Sequence, residues 1–198
     1  MISIYKLKPK FQALLKPILV FLHTKGVTAN QITCASVIWS FIIAIFFWFA
    51  DFNHFYFLAL PIGLFVRMAL NALDGMMASV YDQKSKLGEI LNEIGDIISD
   101  IVLFLPLLKH EPKSLYFIVI FICLSIVNEF AGILAKAVSG ERRYDGPMGK
   151  SDRAFMIGLY GILAFMGLNN FSHAPFIFTA LILLVSISTF TRLKKALI

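Results

Sequence analysis

Residues 71–100 read NALDGMMASVYDQKSKLGEILNEIGDIISD, and no other stretch limits the possible fold as strongly. Asp74, Glu89, Glu93, Asp96 and Asp100 stand there among apolar residues, in a chain that is 59% hydrophobic and only 15% charged. An ionisable group at membrane depth costs about 2.5–3.5 kcal/mol on insertion scales and usually faces a cavity or a bundle interior. Carboxylates gathered in one such region need cations, or each other's protons, to be tolerated. Their spacing is ordered. Asn71, Asp74, Gly75 and Ala78 fall at i, i+3, i+4 and i+7, one face of a helix. Gly88, Asn92, Asp96 and Asp100 fall at successive i+4 steps, one face of a second helix. Two helices joined by a short polar loop can therefore aim oxygen ligands at a common point. Oxygen-only ligation suits Mg²⁺, Mn²⁺ or Ca²⁺.

Composition fixes the class. A soluble domain averages about 45–50% apolar residues. With a mean hydropathy of +0.80, this chain reads as an all-α polytopic membrane protein, a single domain over residues 1–198. Apolar runs close to the ~20-residue membrane length fall at about 29–50, 55–80, 87–108, 114–138, 152–169 and 175–193, which predicts six transmembrane helices. Pro61 and Pro106 are expected to kink the second and third. Residues 8–23, KPKFQALLKPILVFLH, are amphipathic, basic and interrupted by Pro17, and predict an interfacial helix on the membrane surface. A cleaved signal peptide fits poorly, since lysines punctuate the run and no small-residue cleavage site follows.

Charge asymmetry sets the orientation. Lys6, Lys8, Lys10, Lys16 and Lys25 precede the first predicted span, and Lys84 and Lys86 lie between the second and third. Lys136, Arg142, Arg143, Lys150 and Arg153 surround the fourth loop, and Arg192, Lys194 and Lys195 end the chain. The opposite loops carry Lys109 and Lys113, and none near Asn169 and Asn170. The positive-inside rule then puts both termini, the motif and residues 139–153 in the cytoplasm. The net charge of +6 reflects topology and attraction to anionic lipid, and its spread over membrane-flanking segments excludes nucleic acid as a partner. Cys34 and Cys123 fall inside predicted spans and read as buried small apolar residues, with no disulfide or metal-ligand spacing. His23, His54, His110 and His173 read as interfacial.

The motif resembles the signature of the CDP-alcohol phosphatidyltransferases, D-x2-D-G-x2-A-R, about eight residues, then G-x3-D-x3-D. The chain gives Asn71-x2-Asp74-Gly75-x2-Ala78-Ser79, eight residues, then Gly88-x3-Asn92-x3-Asp96. The lead-in VTANQIT and the six-span plan are similar too, so the likeness covers nearly the whole chain. The first and third motif aspartates are Asn71 and Asn92 here, and the arginine is Ser79, as in a divergent bacterial branch. The resemblance implies a phospholipid-synthesis enzyme of the bacterial cytoplasmic (inner) membrane and a homodimer. The donor would be a CDP-activated lipid, CDP-diacylglycerol, and the acceptor a small alcohol, with CMP released. It also implies Mg²⁺ or Mn²⁺ held at Asp74, Asn71, Asn92 and Asp96, with Asp96 as general base. Asn supplies a carbonyl oxygen but no charge. A metal on the donor's diphosphate improves the leaving group, and a carboxylate takes the acceptor's proton. Gly75, Ala78 and Gly88 lack bulk, so the nucleotide could lie beside Asp74 against the helices; small-residue helix packing is the alternative.

The fourth cytoplasmic loop, SGERRYDGPMGKSDR, brings Arg142, Arg143, Lys150 and Arg153 near the motif. Such residues hold phosphate, which makes glycerol 3-phosphate the first expected acceptor; topology-setting charge is the alternative. Arg67, one turn before Asn71, is expected to pair with a motif carboxylate, and Glu93 and Asp100 to assist the site. Asn128 and Glu129 fall mid-span, Glu129 as a partner of Arg67 or a pocket-lining group. Two other functions stay open: a catalytically impaired relative that still binds CDP-lipid, motivated by Asn71 and Asn92, and a small ion or proton transporter using the intramembrane acids. No second matching motif supports the transporter.

Overall fold

The computed structural model describes residues 8–168 and 173–198. Lys6 and the loop at Asn169 and Asn170 lie outside the described residues. Within them the chain is helical, with no strand. Seven long helices follow, with only short helical turns between them: α1 (Lys8–Thr24), α2 (Ala29–Trp48), α3 (Ala59–Val80), α4 (Lys86–Phe104), α5 (Leu115–Ser139), α6 (Lys150–Phe165) and α7 (Ala174–Ala196).

Local sequence explains the boundaries. Thr28 caps α2 through a capping box: its hydroxyl accepts from the Gln31 N–H, and its own N–H donates to Gln31 Oε1 (2.9 Å). Ser85 caps α4 by accepting from the Gly88 N–H (3.0 Å). Gly140, at φ +79°, ends α5 in the left-handed conformation. The two expected proline kinks take another form. Pro61 falls in the first turn of α3, where its missing N–H has no helical partner to lose. Pro106 follows the end of α4 at Phe104, so the third run stops short of its predicted end.

Four segments are long and apolar enough to cross a membrane: Ala29–Trp48, His54–Val80, Pro112–Ser139 and Ala174–Ala196. Their outer surfaces carry large apolar side chains such as Phe41, Phe65, Ile120, Phe130 and Phe190. The remaining two predicted spans look different. α4 carries Lys86, Glu89, Glu93, Asp96 and Asp100, and α6 has only 16 residues.

The packing places the motif. α2 lies between α3 and α4, α6 packs on α3, and α5 packs on α7 and more loosely on α4. The main core runs through Phe47, Leu60, Phe104, Phe121, Ile157 and Val185. Gly161 permits the α3–α6 approach, since a Cβ there would meet the Phe57 carbonyl oxygen and Leu60 Cβ, both at 2.7 Å. α1 rests on α3, where Leu15 and Leu19 join Ile32, Leu73 and Met77 in a second core. One expectation fails: Cys34 and Cys123 are exposed, not buried. Each sits on the outward face of its helix, where a small apolar side chain suits lipid as well as a core.

Candidate active site

The motif acids converge where α2, α3, α4 and α6 meet. Asp74 is 4% exposed. Its Oδ2 accepts from the Thr33 hydroxyl of α2 (2.9 Å) and from Nδ2 of Asn92 (3.4 Å). Asn71, one turn earlier on α3, accepts through Oδ1 from the Ser36 hydroxyl (2.6 Å). Thr33 and Ser36 were not expected from the sequence, yet their spacing on α2 matches that of Asn71 and Asp74 on α3, so one hydroxyl seats each motif side chain. Asp96 lies one turn beyond Asn92 and is ion-paired with Lys150 at the head of α6. Asp96 and Lys150 are both near enough to act on the Asp74 charge.

The small residues of the motif divide. Gly75 is exposed, and a Cβ there would meet nothing within 4 Å, so the helix is open beside Asp74. Gly88 is a packing glycine: a Cβ would come within 2.6 Å of Asn30 Oδ1. Ala78 packs against the second core. Ser79, in the place of the family arginine, turns its hydroxyl back onto the Gly75 carbonyl (2.8 Å).

Deeper in the bundle lies a buried ion network. Arg67, 3% exposed, pairs with Asp100 (3.3 Å) and lies 3.7 Å from Asp96, as its position in the sequence predicts. Arg153, fully buried, donates to Asp100 Oδ2 (2.7 Å) and to Glu129 Oε1 (2.8 Å). Arg142 pairs with Glu93 (2.8 Å) and Glu129 (3.0 Å). Arg192 lies 3.8 Å from Glu129 and donates to the Asn128 carbonyl (2.7 Å). Glu129 therefore meets three arginines from the loop, α6 and α7, and its closest partners are these, not Arg67. Arg192 reads in sequence as topology-setting charge; no local motif marks it, because α7 reaches the site only through its packing on α5. Among the described residues, Arg143 has the exposed Glu141 as its one ion-pair partner, at 3.8 Å.

The loop holding these cations is itself anchored. A Cβ on Gly146, at φ +98°, would lie 2.5 Å from Ser188 Cα, so only glycine lets the loop lie on α7. Arg192 and the Ser188 hydroxyl both donate to the Asp145 carbonyl. Burial lowers the pKa of Arg142, but the Tyr144 oxygen and the Glu93 and Glu129 carboxylates more than offset it, and the guanidinium is held above its ordinary value.

One asymmetry stands out. Of the five carboxylates gathered here, Glu93, Asp96, Asp100 and Glu129 each have a Lys or Arg partner, and Asp74 alone has none within 4 Å among the described residues. An anion set beside an open glycine, hydrogen-bonded by a hydroxyl and an amide and with no cation within 4 Å among the described residues, is suited to receive a cation from outside.

A helical membrane bundle with paired polar motifs on two adjacent helices defines the class, and the family comparison agrees. The family model for CDP-alcohol phosphatidyltransferase matches residues 26–191, and the chain belongs to that family. Among its relatives is the inner membrane protein YnbA of Escherichia coli K12, 46% identical over 160 residues, which cover 81% of this chain and 79% of that one. Among solved structures, the fold matches Mycobacterium tuberculosis phosphatidylinositol phosphate synthase PgsA1 with CDP-DAG bound. That match has a TM-score of 0.75 and 21% identity, and it covers 91% of this chain and 92% of that one. The same enzyme in complex with manganese and citrate matches with a TM-score of 0.74 and 20% identity, over 91% and 87% of the two chains.

Proposed function

We propose that the chain transfers a phosphatidyl group from CDP-diacylglycerol to a small alcohol and releases CMP. The observation that carries this reading is the isolated Asp74 carboxylate, held by Thr33 and Asn92 beside the open face at Gly75, one helix away from Asp96. The solved relative's CDP-DAG complex supports the choice of donor.

Among the described residues, no three His, Cys, Asp or Glu side chains form a metal-ligand group. Two of the four motif positions are asparagine, which explains this, and the oxygens present still fit a hard divalent ion: the free Asp74 carboxylate with the carbonyls of Asn71 and Asn92. Asp96 joins them once Lys150 releases it. When bound, Mg²⁺ or Mn²⁺ would neutralise the diphosphate and favour CMP departure. The chain's own residues do the rest. Gly75 leaves room for the nucleotide. Asp96 accepts the hydroxyl proton as the acceptor oxygen bonds to the lipid-side phosphorus. The bond from that phosphorus to the bridging oxygen breaks, and its electron pair leaves with CMP. Lys150 holds the Asp96 carboxylate in place until the acceptor arrives.

We also read six spans, with α4 and α6 crossing inside the bundle where their charges are paired. The motif end then faces the cytoplasm of a bacterial inner membrane, with both termini on that side, α1 lies at the interface, and the assembly is a homodimer. The test is direct. Purified protein with CDP-diacylglycerol, Mn²⁺ and a panel of alcohols should release CMP and form the matching lipid. Asp96→Asn should lower that release by about 10²–10⁴-fold, the usual contribution of a general base. No CMP release with any alcohol leaves a CDP-lipid binder, the reading that Asn71 and Asn92 would favour.

A further inference from the structure

We propose that the acceptor alcohol carries no phosphate: the arginines suited to hold one are already neutralised by the chain's own carboxylates, and Glu93 enforces this choice. The proposal rests on the reading of the chain as a phosphatidyl transferase.

The basic loop suggests a phosphate site from sequence alone. In the structure its cations are taken. Lys150 is bound to Asp96, Arg153 to Asp100 and Glu129, and Arg142 to Glu93 and Glu129. With Arg67 and Arg192 included, five cations pair with four carboxylates, Glu93, Asp96, Asp100 and Glu129, and the Asp74 carboxylate nearby brings the formal charge of the group to zero before any substrate enters. Arg143, paired with exposed Glu141 at 3.8 Å, adds one weakly paired guanidinium at the rim. A phosphate monoester carries about 1.5–2 negative charges at neutral pH. Bringing it beside Asp96, Glu93 and Glu129 would add those charges to a region whose cations, Arg143 at the rim apart, are already paired, and uncompensated charge in a low-dielectric site is expensive. Several guanidinium N–H groups of the site do lack an acceptor: Nε and Nη2 of Arg67 and the Nε atoms of Arg142 and Arg143 have none among the described residues. The hydroxyl oxygens of an uncharged polyol supply acceptors without charge.

Glu93 is the residue that decides. It is partly exposed, at the mouth of the network, and its carboxylate meets Arg142 Nη2 (2.8 Å), the nitrogen that Glu129 also reaches (3.0 Å). Its loss leaves Arg142 with Glu129 as a partner, so the buried network persists while one positive charge is uncovered. Glu93 is thus a specificity-determining residue, placed where a phosphate oxygen would otherwise dock.

The experiment uses the purified full chain in detergent or nanodiscs, with CDP-diacylglycerol and Mn²⁺. Glycerol and inositol are compared with glycerol 3-phosphate and inositol phosphate, reading CMP release and the lipid formed. The wild type should favour the unphosphorylated alcohols by at least about tenfold. Glu93→Gln should move that ratio at least about tenfold toward the phosphorylated ones, and Glu93→Asp should restore the wild-type ratio. Inorganic phosphate should raise the thermal midpoint of Glu93→Gln and leave the wild type unmoved; this arm stands even where turnover is slow. CMP release chiefly with phosphorylated alcohols in the wild type, or an unchanged ratio in Glu93→Gln, overturns this proposal and leaves phosphatidyl transfer standing. Stabilisation of the wild type by phosphate also overturns it. No CMP release with any alcohol overturns the transfer reading as well.

Discussion

Asp74 and Asp100 come from the same thirty-residue stretch, lie on consecutive helices and are almost equally buried, at 4% and 6% exposure. Their surroundings differ in kind. Asp74 has a hydroxyl and an amide for company and an open glycine at its side. Asp100 is gripped by two guanidiniums, Arg67 and Arg153, neither more than 3% exposed. A buried carboxylate with an internal counter-charge is complete; one without it is incomplete and waits for a cation. The same charge, almost equally buried, is therefore left open to a cation at one position and closed by internal partners at the other.

The largest effect that would break this contrast is at Asp74. Asp74→Asn should lower CMP release by at least about a hundredfold, because a catalytic metal contributes several kcal/mol and each 1.36 kcal/mol is a factor of ten. The thermal midpoint should hold, since asparagine still accepts from Thr33. Equal turnover in the variant would remove Asp74 from the site. The next effect should appear in stability. Arg153→Met removes the guanidinium that Asp100 and Glu129 share, leaving Asp100 with Arg67 and Glu129 with Arg142 and Arg192, at a cost of up to about 3–5 kcal/mol. Thermal unfolding of the purified variant measures it. A variant that melts like the wild type but no longer releases CMP would make Arg153 a substrate ligand and dissolve the distinction drawn here.

Much of this was legible in the sequence, for physical reasons that also mark where legibility ended. Hydropathy gave the helices, because lipid-facing residues must be apolar all along an element. Spacing of i+3 and i+4 gave the two motif faces, and Arg67 was assigned a motif partner because an arginine one turn from acids in an apolar helix has few other options. Partners far apart in sequence were not legible. Glu129 meets Arg142, Arg153 and Arg192 only because α5, α6 and α7 fold around it. Thr33 and Ser36 gain meaning only once α2 lies against α3. The basic loop shows the limit most sharply. Its arginines read as a phosphate site until the carboxylates that occupy them are located.

The smallest predicted effect concerns the two asparagines, and it refines the contrast between the open and the occupied acid. Asn71→Asp and Asn92→Asp each add an anionic oxygen near Asp74, so each should lower the Mn²⁺ concentration at half-maximal CMP release several-fold. The two should not be equal. Asn71 accepts from the Ser36 hydroxyl (2.6 Å), and a carboxylate would accept the same bond without disturbance. Asn92 donates to Asp74 (3.4 Å). A carboxylate there loses that bond and sets two negative charges side by side until a cation separates them. Asn92→Asp should therefore show the larger gain in metal affinity and, in EDTA, a lower thermal midpoint than the wild type, with Mn²⁺ restoring it. The rate at saturating metal need not rise, since tighter ground-state binding does not by itself stabilise the transition state. A metal titration of wild type and both variants, followed by activity and by melting, separates the cases. Identical metal dependence in all three would mean that neither asparagine is a ligand and that Asp74 takes its cation with other oxygens.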